Sequence, residues 1–177
     1  MAAQHDVADE LQRIDSGPDE YFMRMAIEVA TERGSDPDLS PIGCVISFDG
    51  KIIAIERNRV DDKRDATAHA EMEAIRAAGR SFQNGELRGA VLYTTLQPCG
   101  MCTMASIWSK VGKIVYGAGR EDVHPMYFEA RHVNTLNFVA DAYRDDVEIV
   151  GGVLRDECAE LYYRPWDEVP EEKQGNK

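Results

Sequence analysis

Between Asp19 and Arg33, apolar residues recur at three- and four-residue steps (Phe22, Met25, Ala26, Val29 and Ala30), and Gly34 follows as a stop. That spacing predicts an amphipathic helix packing on one face. Two β-favouring runs follow, Ile42 to Phe48 and Lys51 to Glu56, joined by Asp49-Gly50. The dipeptide tolerates the positive φ angles of a tight turn, so the runs should pair as an antiparallel hairpin. Further along, the pattern predicts a helix from about His69 to Ala78 closing at Gly79, and a third strand from Ala90 to Thr95. A short helix is expected after Pro98, then strands at Lys113 to Tyr116 and Val147 to Val150, and a closing helix at Leu154 to Tyr163. Strands alternating with helices in this way indicate a three-layer α/β/α domain. The stretch from Glu121 to Arg144 has weak periodicity and yields no element.

Both ends differ from this middle. Residues 1–17 are polar and finish in Ser16-Gly17-Pro18, which reads as a flexible leader before a domain spanning 18–164. Residues 165–177 form an acidic tail carrying Trp166, a candidate lid. With 177 residues, 44% of them hydrophobic, the chain is long enough for one well-buried core. Its 32 acidic residues against 20 basic ones give a formal charge of −12. Such a balance argues against a protein that wraps nucleic acid or sits on anionic lipid, and favours one that handles something small. No run approaches the roughly 18 apolar residues of a membrane span, and the N-terminus has no apolar signal core, so a cytoplasmic location is expected. Four cysteines are too few for a disulfide scaffold.

Two of those cysteines carry the chemistry. His69-Ala70-Glu71 is followed, 27 residues beyond Glu71, by Pro98-Cys99-Gly100-Met101-Cys102. One imidazole and two thiolates are three ligands for a tetrahedral Zn²⁺, and three protein ligands with an open fourth position describe a catalytic site. Cys99 and Cys102, three apart at a helix start, share a face, and the unpaired N–H groups there favour thiolates. Pro98 suits the start of such a helix because it has no N–H to leave unpaired. Two thiolates would leave the metal a Lewis acid that lowers the pKa of a bound water towards about 7. Glu71 lies two residues from His69, a spacing that does not stack on a regular helix. The pair can share a cavity only if it lies at a helix start, where Glu71 would shuttle protons for hydrolytic deamination of an amidine-like carbon. Cys44 and Cys158 read as small buried hydrophobes and Trp108 as a core or dimer contact, while His132 lacks a ligand-spaced partner and His5 lies in the leader.

The chain resembles the cytidine deaminase-like superfamily, in the branch that holds tRNA adenosine deaminases, bacterial guanine deaminases and fungal-type cytosine deaminases. The likeness runs from about Tyr21 to Leu161 and rests on Pro41-Ile42-Gly43, Asn58, Thr67-Ala68-His69-Ala70-Glu71 and Leu92 through Cys102. It implies a mixed five-stranded sheet flanked by helices, one zinc per subunit on His69, Cys99 and Cys102, Glu71 as proton shuttle, and a homodimer. It also implies that Asn58 and the backbone N–H of Ala70 bind the substrate.

Within that branch, two features point to a free nucleobase, nucleoside or related aminated heterocycle of cytosine or guanine type. Trp166-Asp167-Glu168 resembles an aromatic and acidic tail closing over a base, with Trp166 stacking, Asp167 or Glu168 accepting from ring N–H groups, and Phe128, Tyr127 and His124 as pocket walls. After the fourth strand the chain reads Arg120-Glu121-Asp122-Val123-His124-Pro125-Met126-Tyr127. The tRNA-editing branch has a glycine- and alanine-rich loop there, and with the net charge this sets a small-molecule partner ahead of tRNA. A tRNA-specific adenosine deaminase is the alternative, for which the basic cluster Arg57, Arg59, Lys63 and Arg64 is the candidate contact. A catalytically silent zinc-binding recognition module is the rival from another class, and a thiol redox protein a weaker third.

Overall fold

The computed structural model describes residues 17–128, 137, 139 and 147–174. The first predicted helix forms as α1, Pro18–Ala30, with Pro18 at its start and Asp19 and Glu20 in the first turn, where acids suit the helix dipole. It stops short of the predicted Arg33 because the Thr31 hydroxyl donates back to the carbonyls of Ile27 and Glu28 and closes the last turn. The hairpin is present as β1, Gly43–Phe48, and β2, Lys51–Arg57, turning through Asp49 at φ 48 and Gly50 at φ 71. A short helix unforeseen in the sequence pattern, α2, Val60–Lys63, precedes α3, Ala70–Phe82. Helix α3 passes through Gly79, where a stop was expected, and ends at Gln83 in the left-handed region. Gly79 serves a close approach instead: a Cβ there would sit 3.3 Å from the Asn84 carbonyl oxygen, whose own N–H donates to Gly79 O.

Strand β3, Val91–Leu96, is followed by α4, Gly100–Trp108, and by β4, Lys113–Ala118. Beyond a pair of 3₁₀ turns at Arg120–Asp122 and Pro125–Tyr127, β5 covers Glu148–Gly151. Helix α5, Arg155–Ala159, is shorter than the predicted Leu154 to Tyr163. The sheet order is β2-β1-β3-β4-β5, with β1 antiparallel to both β2 and β3, and with β3, β4 and β5 mutually parallel. This is the mixed five-stranded sheet that the resemblance implied.

Each face of the sheet has its own core. On one side Phe22, Met23, Ala26 and Ala30 of α1 and Cys158 and Ala159 of α5 pack against Val45, Tyr93 and Val115. On the other, Ala70, Ala74 and Ala78 of α3 pack against Cys44, Ile46, Leu92 and Ile114. Cys44 and Cys158 are accordingly buried packing residues. Gly43 sets how closely α1 approaches β1, since a Cβ would lie 2.0 Å from Ala26 O and 2.9 Å from Ala30 N. Along the tail, Val169 is buried, and Lys173 and the Tyr163 hydroxyl both reach the Asp38 carboxylate in the turn Pro37–Leu39. The leader through Ser16, with His5, lies outside the described residues, as does His132. Among the described residues no helix is long and apolar enough to cross a membrane.

Candidate metal centre

Two helices begin at one place. His69 is the N-cap of α3 and Cys99 the N-cap of α4, both with extended backbone (φ −64, ψ 155 and φ −68, ψ 173). Because His69 stands outside the helical turn, its imidazole and the Glu71 side chain are freed from the angular offset of a regular helix, and the two-residue spacing works. Pro98 precedes the cap instead of occupying the first helical position. Thr103 N–H donates to Cys99 O and Glu73 N–H to His69 O, the first helical hydrogen bonds of α4 and α3.

The donor atoms of His69, Cys99 and Cys102 all lie within 4.8 Å of one another. His69 Nδ1 is 3.7 Å from Cys99 Sγ and 3.6 Å from Cys102 Sγ. Zinc bonds of about 2.0–2.1 Å to nitrogen and about 2.3 Å to sulfur, at a tetrahedral angle, require a nitrogen-to-sulfur separation of about 3.6 Å. The two nitrogen-to-sulfur separations match that value, so the three side chains form a potential zinc site. The thiol pair is polarised: a hydrogen bond from Cys102, helped by His69 and opposed by burial, lowers Cys99 to about 4. The same bond to Cys99, together with burial, pushes Cys102 well up. The N-termini of α3 and α4 add positive potential at the site.

Glu71 is buried beside these ligands. Its Oε2 is 3.5 Å from Cys102 Sγ, and its Oε1 accepts from the Thr94 hydroxyl at 3.3 Å. Burial, and then the charge on Cys99, raise its carboxyl above the ordinary glutamate range. A carboxyl shifted in that direction holds a proton more readily than an ordinary glutamate, which suits proton transfer at a reacting nitrogen. Ala70, fully buried, opens α3, and its N–H belongs to the first-turn donors without an intrahelical acceptor.

The remaining candidates lie further out. Asn58 directly follows β2, accepts from Val60 N–H at 3.4 Å and donates Nδ2 to Ser40 O at 3.4 Å, and lines a small cavity with Ser40, Pro41, Ile42 and Arg57. Phe128 is 3% exposed within the α1-side core, with the Arg120 guanidinium 4.1 Å over its ring. His124 accepts from Met126 N–H and shares an open depression of about 540 Å³ with Asp167 and Glu168 through Glu171. No zinc ligand lines that depression. Asp167 closes its own turn by accepting from Arg164 N–H at 2.6 Å, and Trp166 is 78% exposed. In the basic cluster, Arg57 meets Asp62 and Glu32, Arg59 meets Glu56, and Lys63 meets Glu73, while Arg64 is exposed in the left-handed region. Sequence reasoning missed Thr94 and Glu73. The alternation of β3 puts Thr94 on the same face as Leu92, and hence under α3, once the face covered by α3 is known.

A family model described as the cytidine and deoxycytidylate deaminase zinc-binding region matches residues 16–118. A tRNA-specific adenosine deaminase of Buchnera aphidicola subsp. Schizaphis graminum is 35% identical over 146 residues, which are 82% of this chain and 92% of that protein. A structure from studies of A-to-I editing at the wobble position of transfer RNA superimposes with a TM-score of 0.66 at 32% identity, covering 80% of this chain and 98% of that one. The guanine deaminase of Nitrosomonas europaea gives a TM-score of 0.66 at 28% identity over 80% of this chain and 81% of its own. The likeness to solved structures agrees with the cytidine deaminase-like fold seen here.

These relatives correct two expectations. A free nucleobase or nucleoside substrate of cytosine or guanine type, and a small-molecule partner in preference to tRNA, do not stand against tRNA-specific relatives that match most of the chain at the higher identities. The physical reason is that the net charge of −12 sums over the whole chain, including its acidic ends, whereas phosphates respond to the local field at one face. The loop after β4 was likewise too short a segment to decide the substrate.

Proposed function

This chain belongs to the cytidine and deoxycytidylate deaminase family of zinc-binding domains, and from that premise we propose that it deaminates adenosine within transfer RNA. Membership makes it a zinc-dependent hydrolase of carbon–nitrogen bonds. The observation that carries the substrate is the extent of the likeness to a tRNA-specific enzyme, 146 residues covering 82% of this chain and 92% of that protein, well beyond the zinc motifs alone.

The reaction consumes one water per adenosine and releases ammonia, leaving inosine. Zinc, when bound by His69, Cys99 and Cys102, supplies the Lewis acidity that makes water a nucleophile near neutral pH. Glu71 takes a first proton from the attacking water and delivers it to the ring nitrogen next to the amino-bearing carbon, then takes the second proton from the same oxygen as the carbonyl forms and delivers it to the amine, which leaves as ammonia. Its burial keeps bulk water from competing for that proton. Asn58 orients the nucleoside from the end of β2, and the Ala70 N–H offers a donor at the start of α3. A base must leave its stack to reach such a site, which is easiest in a single-stranded loop.

The test is inosine formation by the zinc-loaded protein on a synthetic anticodon stem-loop with adenosine at the wobble position, with free adenine, cytosine and guanine alongside. Inosine in the RNA, with binding that weakens steeply as salt rises, supports the reading. Ammonia from a free base and none from RNA would refute it.

A further inference from the structure

Glu73 lies two residues beyond Glu71 in the first turn of α3 and is 5% exposed. A buried carboxylate is costly unless paired, and here each oxygen has its own cation. Oε2 takes Lys63 of α2, and Oε1 takes Arg76 Nη1 at 2.8 Å, one turn further along α3. Arg76 in turn donates from Nη2 to the Thr67 hydroxyl at 3.3 Å. Both Lys63 and Thr67 belong to the segment 59–68, which runs from Asn58 to His69.

That segment is closed internally. Arg59 N–H donates to Ala68 O, Asp65 N–H to Val60 O and Ala68 N–H to Asp65 O, while the Asp65 carboxylate accepts from the Thr67 N–H and hydroxyl. It is thus a compact unit whose two ends are a zinc ligand and the residue assigned to substrate. Lys63 directly, and Thr67 through Arg76, tie its side chains to α3, and both ties converge on the Glu73 carboxylate.

We propose that Glu73 is a positioning residue, whose carboxylate clamps the 59–68 segment against α3 and so holds Asn58 in register with the zinc site. It touches neither substrate nor metal and acts through Lys63 and Arg76. Loss of the clamp leaves Glu71 and the zinc ligands in place, because they are held by the cap of α3, by α4 and by Thr94. It lets Asn58 drift, and a drifting substrate contact raises KM more than it lowers kcat. This consequence rests on the substrate reading above.

The experiment is a double-mutant cycle on the zinc-loaded protein with the anticodon stem-loop, together with amide hydrogen exchange of the free protein. Glu73→Gln is expected to raise KM about 10-fold, or about 1.4 kcal/mol, with kcat within about twofold and one zinc per chain retained. Lys63→Met is expected to raise KM about fivefold, and the double variant no more than Glu73→Gln alone, since both remove one clamp. Glu73→Asp, which keeps the charge, should recover part of the loss. Exchange across 59–68 should quicken about 10-fold in Glu73→Gln, with the middle of α3 unchanged. If the unaltered protein makes no inosine, the substrate reading fails and the exchange data alone judge the clamp. Unchanged exchange at 59–68, multiplicative KM effects, or a fall in kcat and zinc content at constant KM would overturn it.

Discussion

Replacing Thr94 by Val exchanges one hydroxyl for a methyl group at a fully buried position on β3, directly beneath the carboxylate that moves the proton. The two side chains have nearly the same shape, so the substitution opens no cavity and isolates the hydrogen bond to Glu71 Oε1. A hydrogen bond to a charged group contributes about 1.5–3 kcal/mol, and the 3.3 Å length, against about 2.7–2.8 Å for a strong O–H···O bond, places this one at the lower end. Losing about 1.4 kcal/mol of orientation in the transition state lowers kcat about 10-fold. Folding should change by under about 1 kcal/mol, a shift of a few degrees in Tm, because the methyl gains in transfer what the hydroxyl loses in bonding. Single-turnover rates of inosine formation, zinc content and thermal melts give the three readouts. Thr94→Ser, which keeps the donor, should return to within about threefold of the unaltered rate. A Thr94→Val rate within twofold of normal, or a Thr94→Ser variant as slow as Thr94→Val, would refute the role assigned to the hydroxyl.

Gly43→Ala should destabilise by about 3 kcal/mol or more, because a Cβ 2.0 Å from Ala26 O can be accommodated only by moving α1 off the sheet; urea unfolding measures it, and a change under about 0.5 kcal/mol would contradict the packing described. Glu73 gives a pH test. Burial raises its carboxyl, but the bonds and charges of Lys63 and Arg76 outweigh that and hold it below the usual glutamate value. Its stabilisation is therefore present above the unfolded value of about 4.3 and lost as pH falls through the lower folded value. The stability gap between the unaltered protein and Glu73→Gln, followed by urea unfolding, should be widest above the unfolded value of about 4.3 and narrow as pH falls below it; a gap that widens on acidification would contradict the ion pairs.

The hairpin was legible because Asp49-Gly50 has one good use between two β-favouring runs, and the structure places both residues at positive φ. The zinc ligands were legible because the spacing of Cys99 and Cys102 and the presence of Pro98 constrain local geometry strongly. Gly79 misled because the same residue type serves helix stops and close approaches, and here the Asn84 carbonyl decides which. Helix α5 was overestimated because Leu161 and Tyr162 are apolar and buried yet lie past the last helical turn. Glu73 was invisible for a different reason. A glutamate in a first helical turn is ordinary, and only the three-dimensional return of Lys63 to α3 makes it the centre of a network. The substrate was misjudged because net charge is a property of the chain, and recognition of a nucleotide is a property of one face.

The proposed chemistry divides the labour, with His69, Cys99 and Cys102 holding zinc while Glu71 moves the proton. Zinc content and inosine formation measured together on Glu71→Ala and Cys99→Ala test it most directly, using the wobble-adenosine stem-loop. Glu71→Ala should keep one zinc per chain and lose at least about 10²-fold in turnover, whereas Cys99→Ala should lose both metal and turnover. A Glu71→Ala protein that turns over normally, or a Cys99→Ala protein that keeps full zinc and full rate, would contradict the division of labour.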